Sequence, residues 1–260
     1  MINLRKYGKE PYNVAVIHGG PGAPGGMAPV ARELSAVCGI LEPLQMSASL
    51  EGQLLELQVI LEEHGALPLT VIGHSWGAML SFIFTAHNPR FIKKLILVGS
   101  GLYDDKYVPK LVKTRLSRLK KEEKEQASNL REAMNDPGKK EKNELFAQFG
   151  KLMAKADSFD PLPLESEVIE FQYNVFAKVW KEARELRKSG KLLELGKKIN
   201  CPVTAIHGDH DPYPAEGIKN SLSLVVRNFQ FILLSNCGHQ PWAERSARER
   251  FFQILKEELR

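Results

Sequence analysis

Cysteine is scarce in this chain of 260 residues: Cys38, Cys201 and Cys237 lie far apart, with no Cys-x-x-Cys pair. An odd, scattered set of this kind fits reduced thiols better than a disulfide or zinc framework. Long apolar runs are missing too. No stretch approaches the roughly 18 residues needed to cross a bilayer. Met1 to Gly8 holds no apolar core of signal-peptide length. A cytoplasmic protein with no membrane partner is therefore expected. Internal repeats and low-complexity tracts are absent as well.

Aromatic residues are sparse where the positive charge is concentrated. The formal net charge is +5. Residues 106–155 carry 14 Lys and Arg against 7 Asp and Glu, and the rest of the chain carries 22 against 24. The excess thus belongs to one stretch, where the signs are mixed, as in Lys120-Lys-Glu-Glu-Lys-Glu125. A nucleic-acid surface interleaves basic residues with aromatics. This stretch reads instead as a solvated helical face, and no nucleic-acid partner is expected.

What is present is an ordinary globular composition, 43% hydrophobic and 26% charged, long enough for one α/β domain or two small ones. Short buried-type strands are read at Val14–Ile17, Cys38–Leu41, Leu69–Ile72, Lys94–Val98, Pro202–Ile206 and Phe229–Leu234. Helices are read between them, at 27–37, Ser49–Glu63, Ala78–His87, Ala215–Val225 and Ser246–Leu259. Gly8–Asn13 reads as a turn. Strand alternating with helix implies a mostly parallel twisted sheet of about six to eight strands, with helices on both faces. From Leu102 to Ile199 the alternation stops. Helices at Val108–Ala133, Asn143–Lys155 and Glu167–Lys188 suggest a helical cap, residues 102–199, inserted into a core of 1–101 and 200–260.

The pattern turns on Gly73-His-Ser-Trp-Gly77, between an apolar strand and an apolar helix. Gly-x-Ser-x-Gly in that setting is a nucleophile elbow. So tight a turn strains the serine backbone and leaves no room for side chains two residues to either side. It exposes the Ser75 hydroxyl and sets the Trp76 N–H at a helix N-terminus, where an oxyanion can be held. A serine needs a base, and the base needs a carboxylate to fix its tautomer. The strand ending at Ile206 runs into His207-Gly-Asp-His-Asp211-Pro, and that ending at Leu234 runs into Ser235-Asn-Cys-Gly-His239. Serine, aspartate and histidine thus each follow a strand, in that order.

With His18-Gly-Gly-Pro-Gly22 after the first core strand, these motifs resemble the α/β-hydrolase superfamily, most closely its proline iminopeptidase-like branch. The resemblance covers residues 14–100 and 200–260 and leaves the cap unmatched. It implies Ser75 as nucleophile, Asp211 as acid and His239 as base, with the Gly20 and Trp76 N–H groups as the oxyanion hole. Asp211, at Gly-x-x-Asp spacing and stiffened by Pro212, is expected to face His239, with Asp209 a turn residue. Leu41-Glu-Pro-Leu-Gln-Met-Ser47 stands where that branch carries an Asp-Gln-Arg-Gly loop. The roughly 13 residues before the first core strand are too few for the usual pair of leading strands.

The expected activity is hydrolysis of a small ester or of an amide or peptide bond through an acyl-enzyme, with a small-molecule or short-peptide substrate. Carboxylesterase, aminopeptidase and C–C hydrolase readings stand side by side, and a hydrolase-shaped binding protein is the rival of another class. No metal or organic cofactor is implied. An aminopeptidase must hold an ammonium with a carboxylate. Glu165, Glu167 and Glu170 are its candidates, at the expected start of the cap's last helix. Phe171, Tyr173, Phe176 and Trp180 could line an apolar acyl pocket instead.

Overall fold

In the computed structural model, which describes residues 3–260, strand and helix alternate up to Val98 and again from Val203. The strands are β1 (Leu4–Tyr7), β2 (Tyr12–Ile17), β3 (Gly39–Pro43), β4 (Leu69–His74), β5 (Ile92–Val98), β6 (Val203–Gly208) and β7 (Phe229–Leu234). Among the described residues they form one sheet in the order β1-β3-β2-β4-β5-β6-β7. Every pairing is parallel except that of β1 with β3. This is the expected mostly parallel sheet. The N-terminal segment supplies one leading strand, and the sheet has seven strands. Tyr12 and Asn13, expected in a turn, extend β2.

Helices α1 (Ala28–Leu34), α2 (Leu50–His64) and α3 (Trp76–His87) lie in the first half of the chain. Between β5 and β6 come α4 (Val108–Arg118), α5 (Lys121–Asn135), α6 (Lys142–Asp157), α7 (Tyr173–Lys188) and α8 (Lys191–Glu194). The chain then adds α9 (Ala215–Ser223) and α10 (Arg248–Glu258). The core follows from the period-2 alternation of the strands. Val14, Val16, Ile72, Ile96 and Val98 pack with Val30, Leu34, Phe251 and Leu255 on the face covered by α1 and α10. Ala15, Ile17, Val71, Leu95 and Leu97 pack with Leu57, Leu61, Phe82 and Leu222 on the other. Each fully buried Val, Leu, Ile or Phe among them contributes about 1.5–3 kcal/mol. Trp76 to Ala86 of α3 are buried throughout, which explains why that segment is apolar on every side.

Two expectations about the stretch between β5 and β6 are corrected. Val108–Ala133 is two helices, broken at Leu119 and Lys120. Leu119 turns inward to pack with Ala127, Leu152 and Ala156, and the Glu123 carboxylate accepts from the Lys120 N–H at 2.9 Å, starting a new helix. The last long helix begins at Tyr173, not Glu167. Residues 162–172 stay out of helix, and two of their amides bond to the glycine loop: Ile169 N–H to Pro24 O at 3.0 Å and Gln172 N–H to Gly22 O at 2.7 Å. A tertiary pairing with the glycine loop outweighs local helix propensity there.

From β2 the chain passes outward to β3, then returns to the other side of β2 as β4. The ends of β2 and β4 therefore flank the point where strand order reverses, where sheets of this kind open a crevice. Gly19 and Gly20 follow β2 there, and Ser75 follows β4.

Candidate active site

Ser75 has φ 53° and ψ −112°, a region costing a non-glycine residue about 1–3 kcal/mol. The turn leaves no alternative. A Cβ on Gly73 would overlap the Gly77 carbonyl, and one on Gly77 would overlap the Ile17 carbonyl. The Ser75 N–H is tied to Val98 O at 3.0 Å. Trp76 opens α3, so its N–H has no acceptor within the helix. Its indole N–H is held by Gln53 Oε1 at 2.9 Å, deep in the core.

His239 joins the other two residues. Its Nε2 lies 3.0 Å from Ser75 Oγ and its Nδ1 2.8 Å from Asp211 Oδ2. The second Asp211 oxygen accepts from the Tyr213 N–H at 3.0 Å. Burial alone would raise the Asp211 pKa. Facing His239 and His207, with hydrogen bonds from His239 and Tyr213, it is held instead at about 2. Burial pulls His239 down, but the Asp211 charge and hydrogen bond prevail and raise it above the ordinary 6.5. Asp209 faces elsewhere, accepting from the Asn236 and Cys237 N–H groups, both at 3.1 Å.

The glycine loop is fixed by His18. That ring is fully buried, and burial lowers its pKa to about 4 despite a hydrogen bond with Gly19. Its Nε2 accepts from the Gln45 N–H at 3.2 Å, so Nδ1 carries the proton and donates to Gly19 O at 2.9 Å. The C=O and N–H of a trans peptide point opposite ways. Pinning the Gly19 carbonyl on His18 therefore turns the Gly20 N–H away from His18. A Cβ built on Gly19 would stand 3.1 Å from Ser75 Cβ, so the peptide borders the serine directly.

Several residues around His239 were not singled out by motif. His74 donates from Nε2 to His239 O at 3.0 Å, and its own pKa sinks to about 3 through burial and the neighbouring His239. Tyr213 stacks on the His239 ring at 5.0 Å, and Arg115 lies 5.0 Å over Tyr213. Arg115 also grips Asp157 with two bonds of 2.7 and 2.5 Å, and Asp157 O accepts from the His239 N–H at 2.9 Å. His74, inside the elbow motif, was the one legible candidate. Arg115 and Asp157 sit in helices whose packing on the sheet no local pattern encodes.

The three glutamates do not head a helix, so their expected place in its first turn is corrected. Glu167 pairs with Arg32. Glu165 lines a shallow surface cleft with Pro29, Arg32, Glu33 and Arg248. Glu170 accepts from the Gln172 amide at 3.2 Å. The aromatic residues form a row instead. Trp180 stands edge-on to Trp76 at 6.3 Å, Phe176 stacks on Trp180 at 6.5 Å, and Phe146 stacks on Phe176 at 4.5 Å. Phe171 meets Phe146 at 5.7 Å.

The sequence profile of the alpha/beta hydrolase fold family matches residues 53–241. The chain belongs to the α/β-hydrolase family. No curated protein sequence matches it. Among solved structures, this α/β-hydrolase is similar to a thermophilic esterase from Thermogutta terrifontis, at 18% identity and TM-score 0.66, over 98% of this chain and 92% of that one. It is also similar to a thioesterase domain from the curacin biosynthetic pathway, at 21% identity and TM-score 0.61, over 97% and 94%. A monoacylglycerol lipase from Paleococcus ferrophilus matches at 16% identity and TM-score 0.61, over 98% and 97%. At these identities the likeness is one of fold. Among the described residues no helix is long and apolar enough to cross a membrane.

Proposed function

We propose that this α/β-hydrolase is a serine hydrolase that cleaves small carboxylic esters through an acyl-enzyme on Ser75. The observation that carries the reading is the unbroken relay from Asp211 Oδ2 through the His239 ring to Ser75 Oγ, at 2.8 and 3.0 Å. His239 Nε2 removes the Ser75 proton as Oγ attacks the substrate carbonyl, and Asp211 steadies the imidazolium that forms. The Gly20 and Trp76 N–H groups hold the oxyanion. His239 passes the proton to the leaving alcohol, then activates a water that releases the acid. Stoichiometric labelling by a fluorophosphonate, abolished in Ser75→Ala, tests the reading; a wild type that stays unlabelled while folded refutes it.

Residues 102–199 act as a cap over this centre. The Gln172 N–H donates to Gly22 O at 2.7 Å and a Cβ on Gly22 would overlap the Gln172 carbonyl, so α7 begins against the loop carrying Gly20. Trp180 and Phe176, in a row with the buried Trp76 ring, are the aromatic side chains offered to an apolar acyl group. The esterase, thioesterase and lipase among the similar structures agree with an acyl-transfer reading. Glu167 is held by Arg32, Glu165 lines a surface cleft without any triad residue, and Glu170 accepts from the Gln172 side-chain amide, so the three glutamates are not gathered around a substrate ammonium. Acetylating the amine of an aminoacyl ester is therefore expected to change kcat/KM by less than about threefold, under about 1 kcal/mol. A hundredfold loss, removed by a single Gln replacement at Glu165, Glu167 or Glu170, would establish an aminopeptidase instead.

The pH dependence follows from the base. His239 works only when neutral, and its pKa is raised above 6.5 by Asp211 despite burial. Activity is complete above the raised value and is lost as pH falls through it. The acid limb of kcat/KM is thus expected to have its midpoint above 6.5, measured with a neutral ester whose own charge does not change. A midpoint below 6.5 would contradict it.

A further inference from the structure

Glu244 lies five residues after His239 and is 1% exposed. Its carboxylate meets three backbone N–H groups. Oε1 accepts from Gly238 at 3.1 Å and from Phe159 at 2.9 Å, and Oε2 accepts from Asp160 at 2.8 Å. Gly238 directly precedes His239. Phe159 and Asp160 belong to the leg by which the chain leaves α6. Hydrogen bonds of amides to a buried carboxylate are among the stronger ones a backbone makes, and here one carboxylate spans two segments 78 residues or more apart in sequence.

The same two segments touch throughout. Asp157 O accepts from His239 N–H at 2.9 Å, and Ala243 O accepts from Leu162 N–H at 2.7 Å. A Cβ on Gly238 would overlap both Glu244 Oε1 and Asp157 O. The core supplies further anchors of this turn, among them His74 on the His239 carbonyl, Asp209 on the Asn236 and Cys237 amides, and the His210 N–H on the Cys237 carbonyl. The core's hold and the insertion's hold on His239 meet at Glu244.

We propose that Glu244 is a positioning residue for His239. It clamps the His239 turn to the leg after α6, so that the reach of the imidazole toward Ser75 depends on the inserted helices as well as on the sheet. Loss of the clamp leaves three amides without their acceptor and loosens the turn on the insertion side, where the bonds of His239 N–H to Asp157 O and of Leu162 N–H to Ala243 O remain. The ring then drifts from Asp211 and Ser75 while substrate contacts along the aromatic row remain. The clamp is thus expected to govern turnover more than binding.

The proposal rests on His239 acting as base. Glu244→Gln keeps the volume but sets an N–H donor against a backbone N–H. Wild type and variant are compared on p-nitrophenyl butyrate per active site, the sites counted by fluorophosphonate. The expected result is a fall in kcat of about tenfold or more with KM within about threefold, and an acid limb moved to lower pH as the ring loses its hold on Asp211. A kcat per site within about twofold of wild type, with the acid limb unmoved, would overturn the proposal even if the variant melts earlier. Hydrogen exchange on the wild-type protein needs no variant to fold. The Gly238, Phe159 and Asp160 amides, bound to the two oxygens of one carboxylate, are expected to open together and show similar protection once intrinsic rates are divided out. Exchange at Phe159 and Asp160 more than about tenfold faster than at Gly238 would show no clamp and overturn the proposal. A wild type that resists the phosphonate would refute the hydrolase reading, whereas the exchange rates report on the clamp alone.

Discussion

Ser75→Ala is expected to lower kcat by at least about three orders of magnitude, roughly 4 kcal/mol of barrier. The size follows from the geometry. The hydroxyl 3.0 Å from His239 Nε2 is the atom the relay delivers a proton from, and without it the base has nothing to activate. What survives is the oxyanion site and substrate binding, acting on water. Stability should barely move. Alanine keeps the Cβ and hence the strain of φ 53°, while the neighbours that enforce the turn, Gly73 and Gly77, are untouched. Ser75→Gly sharpens the test. It should be as inactive as the alanine variant and at least as stable, because glycine adopts positive φ without the side-chain cost. Retention of more than about a tenth of wild-type turnover by either variant would remove Ser75 from the mechanism.

Much of this centre could be read from the sequence because its parts are local. Gly-x-Ser-x-Gly needs five residues and a strand before them, and the period-2 apolar runs of β2, β4 and β5 mark the strands. The tightness inferred from Gly73 and Gly77 has a direct counterpart in carbonyl oxygens standing where their side chains would be. The Gly-x-x-Asp motif and Pro212 separated Asp211 from Asp209, which accepts two backbone amides of the next loop. What escaped was set by distant partners. The 162–172 segment carries acidic and apolar residues suited to a helix, but the carbonyls of Gly22 and Pro24 claim two of its amides. The break at Leu119 depends on a hydrophobic patch built from α5 and α6. Glu244 looks in the sequence like any acidic residue before a helix, and only the meeting of two loops buries it.

Asp211→Asn is expected to cost about three to four orders of magnitude in kcat while leaving the fold intact. The two carboxylate oxygens have different duties: Oδ1 accepts from the Tyr213 N–H at 3.0 Å and Oδ2 from His239 Nδ1 at 2.8 Å. Asparagine has one acceptor oxygen, and the Tyr213 amide can only donate, so that oxygen stays with Tyr213. The NH2 group then faces His239 Nδ1 and donates to it. The imidazole is driven to the tautomer with its proton on Nε2, pointing at Ser75 Oγ, where it cannot act as a base. Loss of the negative charge removes the support for the imidazolium as well. Asp209→Asn works differently. Its two acceptors serve Asn236 and Cys237, so one amide passes to water and stability falls by about 0.5–1.5 kcal/mol, with kcat reduced by less than about tenfold. Thermal melts and kcat on one ester separate the two variants: Asp209→Asn is mainly a stability variant and Asp211→Asn mainly a catalytic one. If Asp209→Asn is the more damaging to kcat by about tenfold, the carboxylate partner of His239 during turnover is Asp209, and the 2.8 Å contact with Asp211 is not the one that matters.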